Sequence, residues 1–245
     1  MPNNPIVNHR IKYVNGLNLT WTDANNISIA AGYCSNSTNV NDIVVESALT
    51  VTRTVSGAGG LDTGTIANDT LYYLYVVADS TGYESAVGLF SLSATAPTLP
   101  FGYDMFLRVG AFRHGTAAIL AFDQRGLDGA RTMWYRASLA TDITAGSSAT
   151  FAAVNLTGLV PAINTDVIFK CTYTPTAAND ELALRSGDSA TDEGQAVASG
   201  AAAGVVEVVM LTCPSSSVVL SGVDYKVTGS ATAINVQGYV DQLLA

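Results

Sequence analysis

The feature that most constrains the fold is an extended segment with apolar side chains on both of its faces. Residues 71–78 read LYYLYVVA, and successive side chains of a strand point to opposite sides. The two sets are Leu71, Tyr73, Tyr75 and Val77 on one side, and Tyr72, Leu74, Val76 and Ala78 on the other. Exposing either set would forfeit several kcal/mol at about 25 cal/mol per Å². Two separate layers must therefore cover this strand.

The rest of the chain has the same period of two. Leu17, Leu19 and Trp21 alternate with polar residues before a turn at Asn25-Asn26, and Val167, Phe169, Cys171 and Tyr173 alternate in the second half. No stretch of ten or more residues combines helical periodicity with helix caps. Apolar residues make up 48% of the 245 and charged residues only 13%, which favours a β-rich chain with neutral surfaces. We predict an all-β fold with little or no helix.

Prolines and glycines along the chain predict where strands end and how they are grouped. Pro97 and Pro100 restrict their own and the preceding residues to extended backbone, so we expect the chain to pass from one layer to another there. Residues 113–140 hold four arginines, and Gly126 with Gly129 predicts a hairpin. The arginines are expected to face the chain's own carboxylates; they are Arg113, Arg125, Arg131 and Arg136.

The second half predicts a further sandwich of short strands. Candidate strands are 149–157, 166–174, 205–213, 217–221, 223–228 and 232–240, whereas 176–203 is polar, small and flexible in composition. Several short strands separated by turns indicate a β-sandwich or jelly roll. We therefore predict two β-sandwich or jelly-roll-like domains, 1–140 and 141–245.

The net charge and the lack of targeting signals limit the kinds of partner that we expect for the chain. The net charge is −9 and the eleven Lys and Arg are scattered, which argues against nucleic acid as a direct partner. No apolar run approaches membrane-spanning length and MPNNPIVNHR lacks a signal-peptide core, so we expect no membrane insertion and synthesis in a cytoplasm. Cys34, Cys171 and Cys213 are distant from one another and are expected to be buried thiols.

The chain offers little for catalysis. It has two histidines, His9 and His114, and neither GxSxG nor HExxH. The carboxylate pairs Asp180-Glu181 and Asp192-Glu193 lie in the polar segment, where nothing would raise a catalytic pKa. The same carboxylates, taken together with Asp188, do not have the spacing of a calcium-binding loop. The glycine run GAGG at 57–60 is not followed by the Lys-Ser/Thr of a P-loop. We therefore predict no catalytic, metal or cofactor-binding residues and no cofactor.

Tyrosines near turns or strand ends are candidates for stacking on sugar rings. Because Tyr is also a common residue of β cores and interfaces, the structural role is the favoured one. The candidates are Tyr33, Tyr83, Tyr103, Tyr135 and Tyr239.

Two stretches carry a resemblance to a known class of proteins. GLDTGTIANDTLYYLYVVADSTG (60–82) and SATAPTLPFGYDMFLRVGAFR (93–113) are similar in order and separation to a module of tailed-bacteriophage virion proteins, particularly fibre-like ones. The matching positions include 61–64, 79–82, Pro97, Pro100, 102–104 and 108–110, and the likeness covers about 15–113. The second half resembles, through its texture and the closing INVQGYVDQL, the jelly-roll tips of phage fibres and spikes.

The resemblance implies a non-enzymatic virion structural protein, assembled in the host bacterial cytoplasm. It would be a fibre- or spike-like appendage and commonly a homotrimer, whose amino-terminal domain attaches to other virion proteins and whose tip contacts a host surface glycan. A capsid decoration protein and a carbohydrate-active enzyme are the alternatives. Since a sheet usually keeps one face for solvent, we predict that a neighbouring subunit covers Tyr72, Leu74 and Val76, which would then be self-association residues.

Overall fold

The architecture consists of short antiparallel strands throughout. The computed structural model describes residues 12–127, 129–143, 146–162, 165–189, 194–215, 222–228 and 231–243. These ranges contain eighteen strands and no helix, and hence no helix long and apolar enough to cross a membrane. The all-β prediction is confirmed.

Six short strands form the first layer. They are β1 (Val14–Gly16), β2 (Leu19–Trp21), β3 (Asn26–Ile29), β4 (Gly32–Ser35), β5 (Asp42–Val45) and β6 (Leu49–Thr52). They make two three-stranded sheets, β1-β4-β5 and β2-β3-β6. Between these sheets the Ala30 amide donates a hydrogen bond to the Asn18 carbonyl, and this bond joins the sheets end to end. The hairpin predicted at Asn25-Asn26 is confirmed, with the Asp23 carboxylate accepting from both residues.

The two-faced strand lies in the middle of a central sheet. It is β7 (Thr70–Ala78), flanked by β8 (Val87–Ser91) and β9 (Met105–His114) in the order β8-β7-β9. The segment with Pro97 and Pro100 joins β8 to β9, so it crosses β7 within one sheet. The expectation that it passes between layers is wrong, because extended backbone at the prolines fixes direction locally but not the destination of the chain.

The amino-terminal sheets cover one face of β7. Val76 lies opposite Gly88, and Leu74 opposite Gly110, across the central sheet. A Cβ at Gly88 would meet Val51 and Ile29, and one at Gly110 would meet Leu19. Side chains of the first layer therefore fill the space above these glycines.

The carboxyl-terminal half of the same chain covers the other face. The Ala162 amide donates to the Tyr73 hydroxyl at 3.0 Å. Arg113, opposite Leu71, donates to the Gly158 carbonyl. Arg108, opposite Tyr75, contacts Asp241. The second layer that β7 needs is thus supplied within one subunit.

This arrangement corrects the prediction for Tyr72, Leu74 and Val76. Each is 0% exposed in the single chain, so none of them can contact a neighbouring subunit in this fold. The prediction is wrong because the two halves are not separate sandwiches, and one half covers the second face of β7 in the other. Self-association as such stays a prediction and needs another surface.

The remaining strands form two facing sheets. They are β10 (Phe122–Leu127), β11 (Ala130–Ala140), β12 (Ala152–Val154), β13 (Thr165–Thr174), β14 (Glu181–Ser186), β15 (Ala196–Ser199), β16 (Glu207–Pro214), β17 (Val223–Val227) and β18 (Ala231–Gln242). The five-stranded sheet has the order β10-β11-β18-β13-β16 and the four-stranded sheet β12-β17-β14-β15. Val167, Phe169 and Leu184 are among the side chains buried between them.

Several predictions for this half can be compared with the structure. The hairpin of 113–140 is confirmed as β10 and β11, but both strands belong to the five-stranded sheet, so the sheets do not divide near residue 140. Strands β14 and β15 lie in the segment 176–203, which composition had marked as flexible. The predicted strand 217–221 lies wholly outside the described residues.

One continuous core runs through both halves. Its buried side chains extend from Val14 and Leu19 through Tyr75 and Phe112 to Tyr239. Cross-contacts include Tyr239 donating to the Ala111 carbonyl at 2.9 Å. The two halves therefore pack as parts of one structure.

Candidate functional site

Two loops at one end of the central sheet carry most of the residues on which the resemblance rests. The first, 79–86, joins β7 to β8, and the second, 97–104, precedes β9. The Asp104 carboxylate accepts from the Ser80 amide at 2.7 Å, and the Tyr103 hydroxyl donates to the Ser85 carbonyl at 3.4 Å. These bonds hold the loops together as one surface, which we call the loop tip.

Asp79 organises the first loop. Its carboxylate accepts hydrogen bonds from the Thr81 hydroxyl and from the amides of Thr81, Tyr83 and Glu84. The Thr81 hydroxyl, followed by the Thr81 amide, lowers the pKa of Asp79, since bonds to the charged form favour it. A proton donor in hydrolysis needs a raised pKa, so the geometry of Asp79 fits a clamp rather than a catalytic acid.

Asp62, in the LDTG stretch, has a similar role. Its carboxylate accepts from the Thr63 amide at 2.7 Å and from the Thr98 amide at 3.0 Å. It thereby ties the LDTG loop to the Pro97 segment. Asp62 and Asp79 of the first of the two stretches and Asp104 of the second thus hold loops in position.

The loop tip presents two aromatic side chains to solvent. Tyr83 is 88% exposed and Phe101 is fully exposed, although Tyr103 beside them is half-buried. Phe101 was not singled out from the sequence. Its position between Pro100 and Gly102 was the available signal, because an aromatic residue within a tight turn has no sheet to pack on.

An acidic groove adjoins the loop tip. It has a volume of about 460 Å³ and lies between the loop 79–86 and the strand β5 with the turn that follows it. Four carboxylates line it, from Asp42, Glu46, Asp79 and Glu84, over apolar residues that include Ile43 and Met105. Carboxylates accept hydrogen bonds from hydroxyl groups, so the groove beside exposed rings suits a neutral or cationic ligand rich in hydroxyl groups.

The other tyrosine candidates divide by exposure. Tyr33 is about half exposed on β4, where its ring meets that of Tyr13 edge-on at 5.9 Å. Tyr135 and Tyr239 are buried, and their hydroxyls donate to the carbonyls of Leu159 and Ala111. Burial raises the pKa of both. Tyr239 thus connects the carboxyl-terminal half to β9 of the central sheet, and neither of these two tyrosines can stack on a ligand.

The carboxylates considered for catalysis or metal binding are dispersed. Asp180 accepts from the Thr176 hydroxyl and the amides of Thr176 and Ala177, which lower its pKa. Glu181 begins β14, and Asp188 accepts from the Ser186 hydroxyl. Asp192 and Glu193 lie outside the described residues. Within the described ranges no three His, Cys, Asp or Glu side chains are grouped so as to hold a metal ion.

Other reactive groups are enclosed. His114 is 1% exposed and its Nδ1 lies 3.0 Å from the Ala67 carbonyl oxygen, whereas His9 lies outside the described residues. Cys34, Cys171 and Cys213 are free and buried, as predicted, and burial raises their thiol pKa values to about 12. The GAGG stretch forms a turn in which the Gly57 amide bonds the Leu61 carbonyl.

Comparison with protein-family models, with curated proteins and with solved structures finds no match for this chain.

Proposed function

We propose that this chain is a non-enzymatic structural protein of a tailed-bacteriophage virion, a fibre- or spike-like appendage that also contacts the host surface. The resemblance of 15–113 to virion modules is the first support. The single observation that carries the proposal is strand order. When the edge strand β10 is left out, the two carboxyl-terminal sheets have the orders β11-β18-β13-β16 and β12-β17-β14-β15, and these orders support a jelly roll, a frame used by viral capsid and lectin domains.

In this proposal the amino-terminal part docks onto other virion proteins and the loop tip meets a host surface glycan. The exposed rings of Tyr83 and Phe101 beside an acidic groove support the second half of this statement. Tyr side chains are amphipathic and rigid, which suits them to recognition. The homotrimer suggested by the resemblance remains part of the proposal.

A capsid decoration protein is the second candidate, because the same jelly-roll order serves capsids and the two halves share one core. Negative-stain images of purified virions labelled with an antibody to this chain separate the two. We expect a few copies at the tail or a vertex. Label over the whole shell in many copies would favour decoration, and a chain missing from purified particles would refute both.

A separate experiment on the purified chain tests for catalysis. We expect no release of reducing sugar when the purified chain is incubated with host polysaccharide. Release that is lost in Asp180→Asn or Asp192→Asn would overturn the non-enzymatic proposal in favour of a carbohydrate-active enzyme.

A further inference from the structure

Both carboxyl-terminal sheets end on the same side of the sandwich. Strand β16 is last in the five-stranded sheet and pairs with β13, and β15 is last in the four-stranded sheet and pairs with β14. The two end strands lie against each other. Among the described residues, no further strand pairs with the outer edge of either.

Apolar side chains are concentrated on this side. Those of Val205, Val206, Val208 and Met210 are 48–63% exposed. We call these four residues the β16 edge surface. Natural edge strands are usually protected by charged residues, proline or bulges. Before Pro214, the outward face of β16 has neither a charged residue nor a proline. Exposed apolar patches of this kind mark interaction sites.

The opposite end of the five-stranded sheet is covered by the chain itself. There the side-chain oxygen of Gln124 on β10 accepts from the Leu19 amide at 2.7 Å, and Arg131 on β11 reaches the Leu17 carbonyl. The amino-terminal half therefore covers one side of the sandwich and leaves the β16 edge surface open in the described structure.

The net charge of the chain indicates what kind of partner covers the β16 edge surface. The chain carries −9, so two copies approach with least repulsion where neither presents carboxylates. On β16 the outward positions before Pro214 are Val208, Met210 and Thr212, none of them charged, and the uncharged Val206 precedes the strand. The acid Glu207 alternates to the inner side, where it accepts from the Tyr173 hydroxyl and the Ala201 amide.

We propose that the β16 edge surface is the contact between copies of this chain. Strands pair through main-chain groups whatever their sequence, and a period of two keeps the apolar row of one β16 against that of its copy. Because the same surface meets itself, the contact lies on a two-fold axis and joins two subunits, so it is distinct from any contact around a three-fold axis. This inference concerns the chain alone and does not require the virion role.

The test is the mass of the purified chain in solution, measured by light scattering at micromolar concentration. We expect a multiple of the monomer mass for the natural sequence. The double variant Val208→Lys, Met210→Lys places like charges across the contact, which costs several kcal/mol, and should raise the dissociation constant about 100-fold or more. Unchanged circular dichroism would show that it folds.

A matched control is Val44→Lys, because Val44 on the edge strand β5 and Val208 are both 58% exposed. It should keep the assembled mass. Mixing the Lys pair with the variant Val208→Glu, Met210→Glu should restore assembly through opposite charges. The proposal is overturned if the natural chain is monomeric, if the Lys pair keeps its assembled mass, or if the mixture stays dissociated.

Discussion

Nη1 of Arg131 donates a hydrogen bond to the carbonyl oxygen of Leu17 at 2.7 Å, from 114 residues further along the chain. The second Nη donates to the Gly16 carbonyl. Gly16 and Leu17 have φ of 68° and 57°, a left-handed turn that a leucine adopts at a cost. A fully buried arginine from the carboxyl-terminal half therefore stabilises the kink between β1 and β2.

Removal of this arginine should destabilise the whole chain. We expect Arg131→Met to lower the free energy of unfolding by about 3 kcal/mol, because buried carbonyls lose a charged donor. Urea unfolding measures the change. Arg136→Met is the control, since Arg136 pairs with Asp123 at the surface, where ion pairs contribute little. Equal losses in the two variants would contradict the assigned role of Arg131.

The ion pair of Arg108 and Asp241 joins the central sheet to β18. Arg108 Nη1 lies 2.7 and 2.8 Å from the two carboxylate oxygens, and the Asp241 side chain is 1% exposed. Burial raises the pKa of Asp241, and Arg108 opposes this rise. The contribution of Asp241 to stability is therefore greatest below its unfolded pKa and falls as pH rises through the folded pKa.

A double-mutant cycle tests this pair. Arg108→Met leaves a buried carboxylate without its partner and should cost about 3–5 kcal/mol. Adding Asp241→Leu removes the stranded charge, so the double variant should unfold at a higher urea concentration than Arg108→Met. A double variant that is less stable by the sum of the two single losses would show that the pair is not coupled.

The burial of β7 gives a third prediction. Leu74→Ala should lower the free energy of unfolding by about 2–5 kcal/mol through the cavity it leaves, and the assembled mass of folded protein should stay unchanged. Leu92→Ala, at an exposed position just after β8, is the control and should cost far less. A loss of assembled mass at full stability would instead place Leu74 in a subunit contact.

Strand positions could be predicted from the sequence because they depend on local alternation. The hairpins at Asn25-Asn26 and at 122–140, and the strand 165–174, follow from that pattern. The cover on the second face of β7 could not, since it depends on residues 158–162 and β18 docking across a long sequence distance. Nothing local in that segment points to Tyr73.

The candidate site was only partly predictable for a related reason. Tyr83 and Tyr103 were among the tyrosines expected near turns or strand ends, and Pro97 with Pro100 predicted extended backbone beside them. The hydrogen bond that Asp104 accepts from the Ser80 amide depends on tertiary structure. The local sequence therefore does not predict that Asp104 holds two loops together. The buried strand β14 was missed because Leu182 and Leu184 are only two apolar positions within a polar, small-residue segment.

The fourth prediction concerns pH. His114 is buried, and burial lowers its pKa from 6.5, although its bond with the Ala67 carbonyl opposes the shift. Its Nε2 has no hydrogen-bond partner among the described residues. Stability that depends on the neutral imidazole is therefore present above about pH 6.5 and is lost as pH falls through the folded pKa.

We expect the unfolding free energy of the natural chain to decline between pH 7 and pH 5 more steeply than that of His114→Gln, which cannot gain a proton. Urea unfolding at several pH values gives both curves. Parallel curves would show that protonation of His114 does not destabilise the fold, and a steeper curve for the glutamine variant would reverse the assigned sign.

The last prediction concerns the loop tip. Tyr83→Ala with Phe101→Ala should weaken binding of the purified chain to polysaccharide from its host at least about 30-fold, the effect of losing roughly 2 kcal/mol at an aromatic anchor. Val55→Ala, a change at another exposed apolar position, should leave binding intact.

Carboxylates of Asp42, Glu46, Asp79 and Glu84 line the adjoining groove, so neutral polysaccharide should bind more tightly than anionic polysaccharide, which like charges repel. Calorimetric titration of both polymers measures the difference, and equal affinity of the double variant and the natural chain would remove the loop tip from host recognition.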